Sequence, residues 1–245
     1  MIARELIGTA MVPGGADLQL YRHDRDFMIV LGNNELMSTR RWGSEVALAE
    51  MAIDRLGGAA APQLLIGGYG MGFTLRAALA RLGKQARVTV VELVPQIIQW
   101  ARGPMAELAA GCLDDPRVTL EMGDVGEVIA EGSGQFDAIL LDVDNGPDGL
   151  VREDNNQLYS SRGLRAARAA LRPGGVLAVW SAAPDPGFRR KLEKAAFDVD
   201  EVKVAARSNG KGSKHTIWFA RPGAAEVRKA SQFPPRSGRA RSRSR

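Results

Sequence analysis

The segment that most constrains this chain is Gly67-Gly68-Tyr69-Gly70-Met71-Gly72. A short apolar run, Gln63-Leu-Leu-Ile66, leads straight into it, and a helical pattern from Phe73 to Leu82, closed by Gly83, follows. Strand, glycine turn and helix in immediate succession form the opening unit of a doubly wound α/β sheet, in which ligands sit beyond the carboxyl ends of the strands. Glycines let the backbone take positive φ and approach a ligand closely, and the helix start offers unpaired N–H groups and partial positive charge. The spacing Gly68-x-Gly70-x-Gly72 departs from the dinucleotide fingerprint Gly-x-Gly-x-x-Gly, because position 73 is Phe73. A nicotinamide or flavin reading is thereby weakened, and a purely structural tight turn stays open.

The rest of the chain agrees with that opening. Residues 1–42 read as a small N-terminal β region, with Asp17-Leu-Gln-Leu-Tyr-Arg22 and Phe27-Met-Ile-Val-Leu31 as strands of a hairpin or small antiparallel sheet. Residues 43–222 alternate strand and helix, as a mostly parallel Rossmann-like sheet requires. Ser44 is the expected N-cap of the first helix, which stops before Gly57-Gly58. Strands are expected at Arg87–Val91, Arg117–Glu121, Phe136–Leu141, Gly175–Trp180, Val199–Val204 and His215–Ala220. Helices are expected from Pro95 toward Gly111, over Val125–Ala130, over Leu164–Leu171 and over Phe188–Ala196. Residues 223–245, with Pro234-Pro235 and an Arg/Ser repeat, read as a disordered tail.

Charge and cysteine usage narrow the function classes. The net charge is +5, yet five arginines lie in residues 236–245, and without them the body carries no net charge. The body is not built for nucleic acid, which only the tail could contact. Aromatic residues make up 6% of the chain, too few for a stacking platform. The single Cys112 rules out an internal disulfide and any multi-cysteine metal site, and it reads as a small helix-face residue. His23 and His215 are the only histidines and make no metal constellation, so no metal is expected. The N-terminus lacks a signal-peptide pattern, and no apolar stretch approaches a membrane span, so a cytoplasmic protein without a membrane partner is expected.

Four positions carry the candidate chemistry. The turn supplies Gly68, Tyr69, Gly70 and Gly72. Glu92 ends the next strand, about 20 positions on, where an acid can accept both ribose hydroxyls; the bland alternative is a surface Glu at a strand end. Asp124, after the third strand, could accept from an adenine amino group or cap the following helix, and the two roles are compatible. Asp142 ends the fourth strand, beside the point where strand order reverses, where a carboxylate could orient an amine and remove its proton. The segment it opens, Asp142-Val143-Asp144-Asn145-Gly146-Pro147-Asp148, also has the composition of a simple turn.

Together these residues resemble the spermidine synthase-like (polyamine aminopropyltransferase) family, within the class I S-adenosylmethionine-binding fold. The likeness runs from about Leu31 to Leu177. It rests on Gly67–Gly72, Val90-Val-Glu-Leu93, Asp115-Pro-Arg-Val-Thr-Leu120 with Gly123-Asp124, Phe136-Asp-Ala-Ile-Leu-Leu-Asp142, Leu158-Tyr159 and Leu171-Arg-Pro-Gly-Gly175. The resemblance implies that Glu92 and its neighbour Leu93 hold the ribose and Asp124 with Val125 the adenine. It implies that Asp142 helps deprotonate an attacking amine, and that Glu45, Asp144 or Asn145, and Tyr159 border the acceptor. The implied cofactor is S-adenosylmethionine or its decarboxylated form, and the implied partner a small amine; a homodimer is compatible with the family. The chain departs from the family at three points. The turn aspartate is replaced by Gly70 (or Tyr69 in a shifted register), the second loop aspartate falls on Asn145, and a Tyr-His-Glu segment reads Gly43-Ser44-Glu45. The expected activity is alkyl transfer, aminopropyl or methyl, from a sulfonium donor. A non-catalytic nucleotide-binding protein and a nucleic-acid methyltransferase using the basic tail are the alternatives.

Overall fold

The computed structural model describes residues 4–12, 17–143 and 155–223. Asp144, Asn145, Asp148, the Pro13-Gly14-Gly15 turn and the arginine-rich tail lie outside the described residues.

Four strands, β1 (Glu5–Met11), β2 (Asp17–His23), β3 (Asp26–Leu31) and β4 (Asn34–Ser38), form an antiparallel sheet in that order. The sequence predicts only β2 and β3. β1 escaped notice because Leu6 and Met11 are exposed and Gly8 interrupts the alternation. That glycine is needed: a Cβ there would stand 2.8 Å from Trp100 Nε1.

Helix α1 (Gly43–Asp54) then leads into a seven-stranded sheet. In chain order the elements are β5 (Gln63–Gly67), α2 (Phe73–Arg81), β6 (Arg87–Glu92), α3 (Pro95–Arg102), α4 (Ala106–Ala109), β7 (Val118–Met122), α5 (Val125–Glu131) and β8 (Phe136–Leu141). There follow α6 (Asn155–Leu158), α7 (Ser161–Ala170), β9 (Leu171–Ser181), α8 (Pro186–Lys194), β10 (Phe197–Ala205) and β11 (Lys214–Pro222). The strand order is β10-β11-β9-β8-β5-β6-β7. β7, β6, β5, β8 and β9 run parallel, whereas β11 pairs antiparallel with both β9 and β10. This is the mostly parallel doubly wound sheet expected from the sequence.

The sheet is covered on both faces, so its central strands are apolar at successive positions. Leu64, Ile66, Val88, Val90, Ala138, Leu140 and Ala178 face one core, which also takes Leu48 from α1, Leu75 from α2, Ile97 from α3 and Leu20 and Ile29 from the small sheet. Leu65, Val91, Ile139, Leu141, Leu177 and Val179 face the other, against Val125, Ile129, Leu164 and Phe188 of α5, α7 and α8. The chain winds outward through β5, β6 and β7 and then returns to place β8 beside β5. A crevice opens at that reversal.

Two local expectations are corrected. Ser44 does not cap α1. Trp42 holds the cap position without a side-chain bond, and the Gly43 N–H donates to the Ala206 carbonyl at 2.9 Å. The helix expected from Pro95 toward Gly111 breaks after Arg102 into α3, α4 and a 3-10 turn at Cys112–Asp114. Pro104 explains the break, since it lacks an N–H and pushes Gly103 out of the helical region. No helix among the described residues is long and apolar enough to cross a membrane.

Candidate active site

At the reversal point a cavity is lined by residues from both sheets. Gly68, Gly70, Glu92, Leu93, Asp124, Val125, Asp142 and Glu45 all border it, so most of the residues singled out in sequence meet in one place. The small sheet supplies an apolar roof of Val12, Leu18, Ile29, Leu36 and Met37.

The glycine turn is shaped by backbone needs. Gly68 has φ +85°, and a Cβ there would lie 2.6 Å from the Asp142 carbonyl oxygen. Strands β5 and β8 can therefore approach only because position 68 has no side chain. At Gly70 a Cβ would meet Met37 Cε at 2.7 Å and Sδ at 2.8 Å. A methionine thus covers the part of the turn that carries an aspartate in the family pattern.

Two turn residues do not reach the cavity. The Tyr69 side chain is 4% exposed and turns into the core, with its hydroxyl 3.6 Å from Cys112 Sγ. Burial pushes both groups above their ordinary pKa values. Gly72 is the cap of α2, and the Tyr69 ring fills the space a Cβ would need there. Neither side of the turn at Tyr69 and Gly72 lines the cavity: the Tyr69 ring is buried in the core beneath it, where an aromatic side chain gains most. Tyr159, expected at the acceptor end, is 1% exposed and packs edge-on against Phe188 at 5.4 Å, away from the cavity.

Glu92 is buried, and each of its oxygens accepts a backbone N–H: Oε2 from Tyr69 at 2.8 Å and Oε1 from Val94 at 2.9 Å. It ties the glycine turn to the start of α3. Burial raises its pKa, and these backbone bonds oppose the rise. Two accepted bonds leave lone pairs on both oxygens for a ligand hydroxyl. Asp124 caps α5, accepting from Gly126 N at 2.7 Å, and also borders the cavity. The capping and lining positions expected for it coincide.

Asp142 accepts from Thr74 Oγ1 at 2.8 Å, a partner that the sequence reading missed. Burial lifts its pKa from 3.8 to about 6, against the Thr74 bond. Glu45 is 7% exposed; burial, then the charge of Asp142, raise its pKa from 4.5 to about 7. Ser44 Oγ donates to Glu45 Oε2 at 2.6 Å and lies 2.8 Å from His215 Nδ1. Neither Ser44 nor His215 carried a site signal in sequence, because they stand 171 positions apart. Trp180 borders the same cavity and meets the His215 ring edge-on at 4.8 Å. The site therefore combines a buried acid held by backbone amides with two adjacent acids whose pKa values are raised by burial.

The Spermine/spermidine synthase domain matches residues 53–191. A polyamine aminopropyltransferase of Sulfolobus acidocaldarius is 32% identical over 121 residues, 49% of this chain and 39% of that protein. Polyamine aminopropyltransferase 1 of Streptomyces coelicolor is 32% identical over 168 residues, 65% of this chain and 30% of that protein. The matches thus span less than half the length of these relatives. The crystal structure of spermidine synthase from Thermotoga maritima superposes with a TM-score of 0.69 at 18% identity, covering 93% of this chain and 79% of that one. A spermidine synthase in complex with the transition-state analogue AdoDATO gives a TM-score of 0.68. With more than half of its length matched by the family domain, the chain belongs to the spermine/spermidine synthase family.

Proposed function

We propose that this chain transfers an aminopropyl group from a decarboxylated S-adenosylmethionine-type donor to a small amine. The observation that carries the reading is that Glu92, Asp124, Asp142 and Glu45 converge on one cavity at the strand reversal. Glu92 is placed to accept the ribose hydroxyls, and Asp124 with Val125 to border the adenine. The donor supplies an electrophilic carbon on a positively charged sulfur; the amine lone pair forms the new N–C bond, and the C–S electron pair returns to sulfur. The acceptor must also lose a proton. Asp142 and Glu45, both raised toward neutrality, suit that task. Among the described residues the lining includes no Lys or Arg, so there a cationic guest meets acids and apolar walls.

The test is product formation from decarboxylated S-adenosylmethionine and a panel of linear diamines and triamines. Product is expected with at least one amine and is expected to be lost in Asp142→Asn. No product from any amine, or full activity in the variant, would sink the proposal.

One observation favours a second reading, methyl transfer from intact S-adenosylmethionine. Met37 packs over Gly70, and this turn presents no carboxylate. A carboxylate there would repel the donor's own carboxyl group. Calorimetry with both donors decides: tight binding of the intact form alone would replace aminopropyl by methyl transfer.

A further inference from the structure

Glu45 stands on a wall between two cavities. It borders the nucleoside cavity, and it also borders a second one lined by Glu35, Ser38, Arg41, Ala182 and His215. Between them runs an unbroken chain of polar atoms, Glu45 Oε2, Ser44 Oγ and His215 Nδ1, with steps of 2.6 and 2.8 Å. Ser44 is fully buried, and the imidazole is held by the indole of Trp180.

We propose that Ser44 and His215 form a proton relay that carries the acceptor amine's proton from Glu45 into the second cavity. This rests on the transfer reading above. The atoms balance as follows. Glu45 takes one proton from the acceptor nitrogen. Its carboxyl O–H passes a proton to Ser44 Oγ while the Ser44 hydroxyl passes its own to His215 Nδ1. The resulting imidazolium releases its Nε2 proton to the second cavity. Reorientation of the serine hydroxyl, together with return of the imidazole from its Nδ1–H to its Nε2–H tautomer by proton exchange with water of the second cavity, resets the chain, and nothing is oxidised or reduced. Serine can do this because a hydroxyl both donates and accepts.

The surroundings suit a neutral imidazole that accepts and gives up a proton. Burial first, then Arg41, lower the His215 pKa. The charged groups bordering its cavity are Glu35, Arg41 and Glu45; β9 presents Trp180, and β10 presents Val204 opposite His215, neither of which titrates near neutrality.

Two measurements test the relay on the full chain. The first is kcat against pH, with decarboxylated S-adenosylmethionine and the amine panel, for the parent, Ser44→Ala and His215→Gln. Each variant is expected to lose about a hundredfold in kcat near neutrality with little change in KM, the low end of a proton-transfer contribution. The gap should close as pH rises and the amine arrives already neutral. Coincident kcat–pH curves overturn the relay. The second needs no turnover. With only two histidines in the chain, His23→Gln leaves His215 as the sole imidazole for 15N NMR. Ser44→Ala and Glu45→Gln are each expected to move the His215 titration; an unmoved titration in both overturns the relay. If the parent transfers to no amine, the transfer reading fails by itself, and the NMR comparison still decides the relay.

Discussion

Replacing Gly68 by alanine isolates the contact on which the site is built. Two costs add. The residue sits at φ +85°, where an L side chain costs about 1–2 kcal/mol. The new Cβ also meets the Asp142 carbonyl oxygen at 2.6 Å and the carbonyl carbon at 3.3 Å. These are backbone atoms at the end of β8, so relief requires moving the strand, at about 1–3 kcal/mol for an overpacked position. The expected loss is about 2–5 kcal/mol, a large part of a typical domain's stability. Urea denaturation should show a lower midpoint with an unchanged slope. Gly32→Ala serves as a control: φ is +56° but nothing lies within 4 Å, so only the conformational cost of about 1 kcal/mol should appear. If β8 shifts, Asp142 must also leave its 2.8 Å bond with Thr74, and turnover should fall in the protein that remains folded. A Gly68→Ala protein no less stable than Gly32→Ala, with turnover intact, would refute this account of the turn.

Glu45 and Asp142 have raised pKa values, so the folded state holds their protons more tightly than the unfolded chain. The stability they confer is fully present below about pH 4 and is lost as pH rises through about 6 to 7. Glu45→Gln should flatten the decline between about pH 5 and 8 in denaturant titrations; a decline parallel to that of the parent would contradict it. Glu92→Gln places an amide N–H against one of two backbone donors and should cost about 1–3 kcal/mol. It should also weaken 5′-methylthioadenosine binding by calorimetry, and unchanged stability together with unchanged binding would count against both assigned contacts. Gly70→Asp takes the strain of φ +55°, about 1 kcal/mol, and otherwise meets only the movable end of Met37, so it should fold with slightly lower stability and favour the decarboxylated over the intact donor by about tenfold, the worth of one charge-assisted bond; unaltered donor preference in competition binding would place the donor's tail elsewhere.

The glycine-turn side of the cavity was legible in the sequence because its signals are local. A glycine turn must follow its strand directly, Glu92 must end the next one, and Asp124 must precede a helix. Spacing alone records all three. The interior strands were legible for a related reason, since burial on both faces leaves Leu64–Ile66 or Ile139–Leu141 no polar alternation. On the opposite side Asp142 and Glu45 were legible, but their partners were not. Ser44 reads as a helix cap and His215 as the start of a strand, and only the antiparallel return of β11 beside β9 brings them to 2.8 Å. The roof was equally hidden. The alternation of β2 shows that one face is buried, but not that Leu18 covers a cavity instead of a closed core.

Four acids meet in one cavity, and three of them, Glu92, Asp142 and Glu45, have raised pKa values and are each compensated differently. Glu92 accepts two backbone N–H bonds, Asp142 accepts a threonine hydroxyl, and Glu45 accepts a serine hydroxyl. None of these partners carries a formal charge, and among the described residues no Lys or Arg lines the cavity. Neutral donors offset only part of the desolvation of a carboxylate, which is why all three pKa values are raised. The missing compensation is a positive charge, and a sulfonium donor and an ammonium acceptor would each bring one. Binding should therefore lower the pKa values of Glu45 and Asp142 and release protons, most strongly between about pH 6 and 7. Attack moves the positive charge from sulfur to the acceptor nitrogen, and the cavity loses a charge only when a nitrogen proton leaves. A Glu45 made anionic by binding is the group that can take that proton, so the electrostatics that favour binding also draw it toward Glu45.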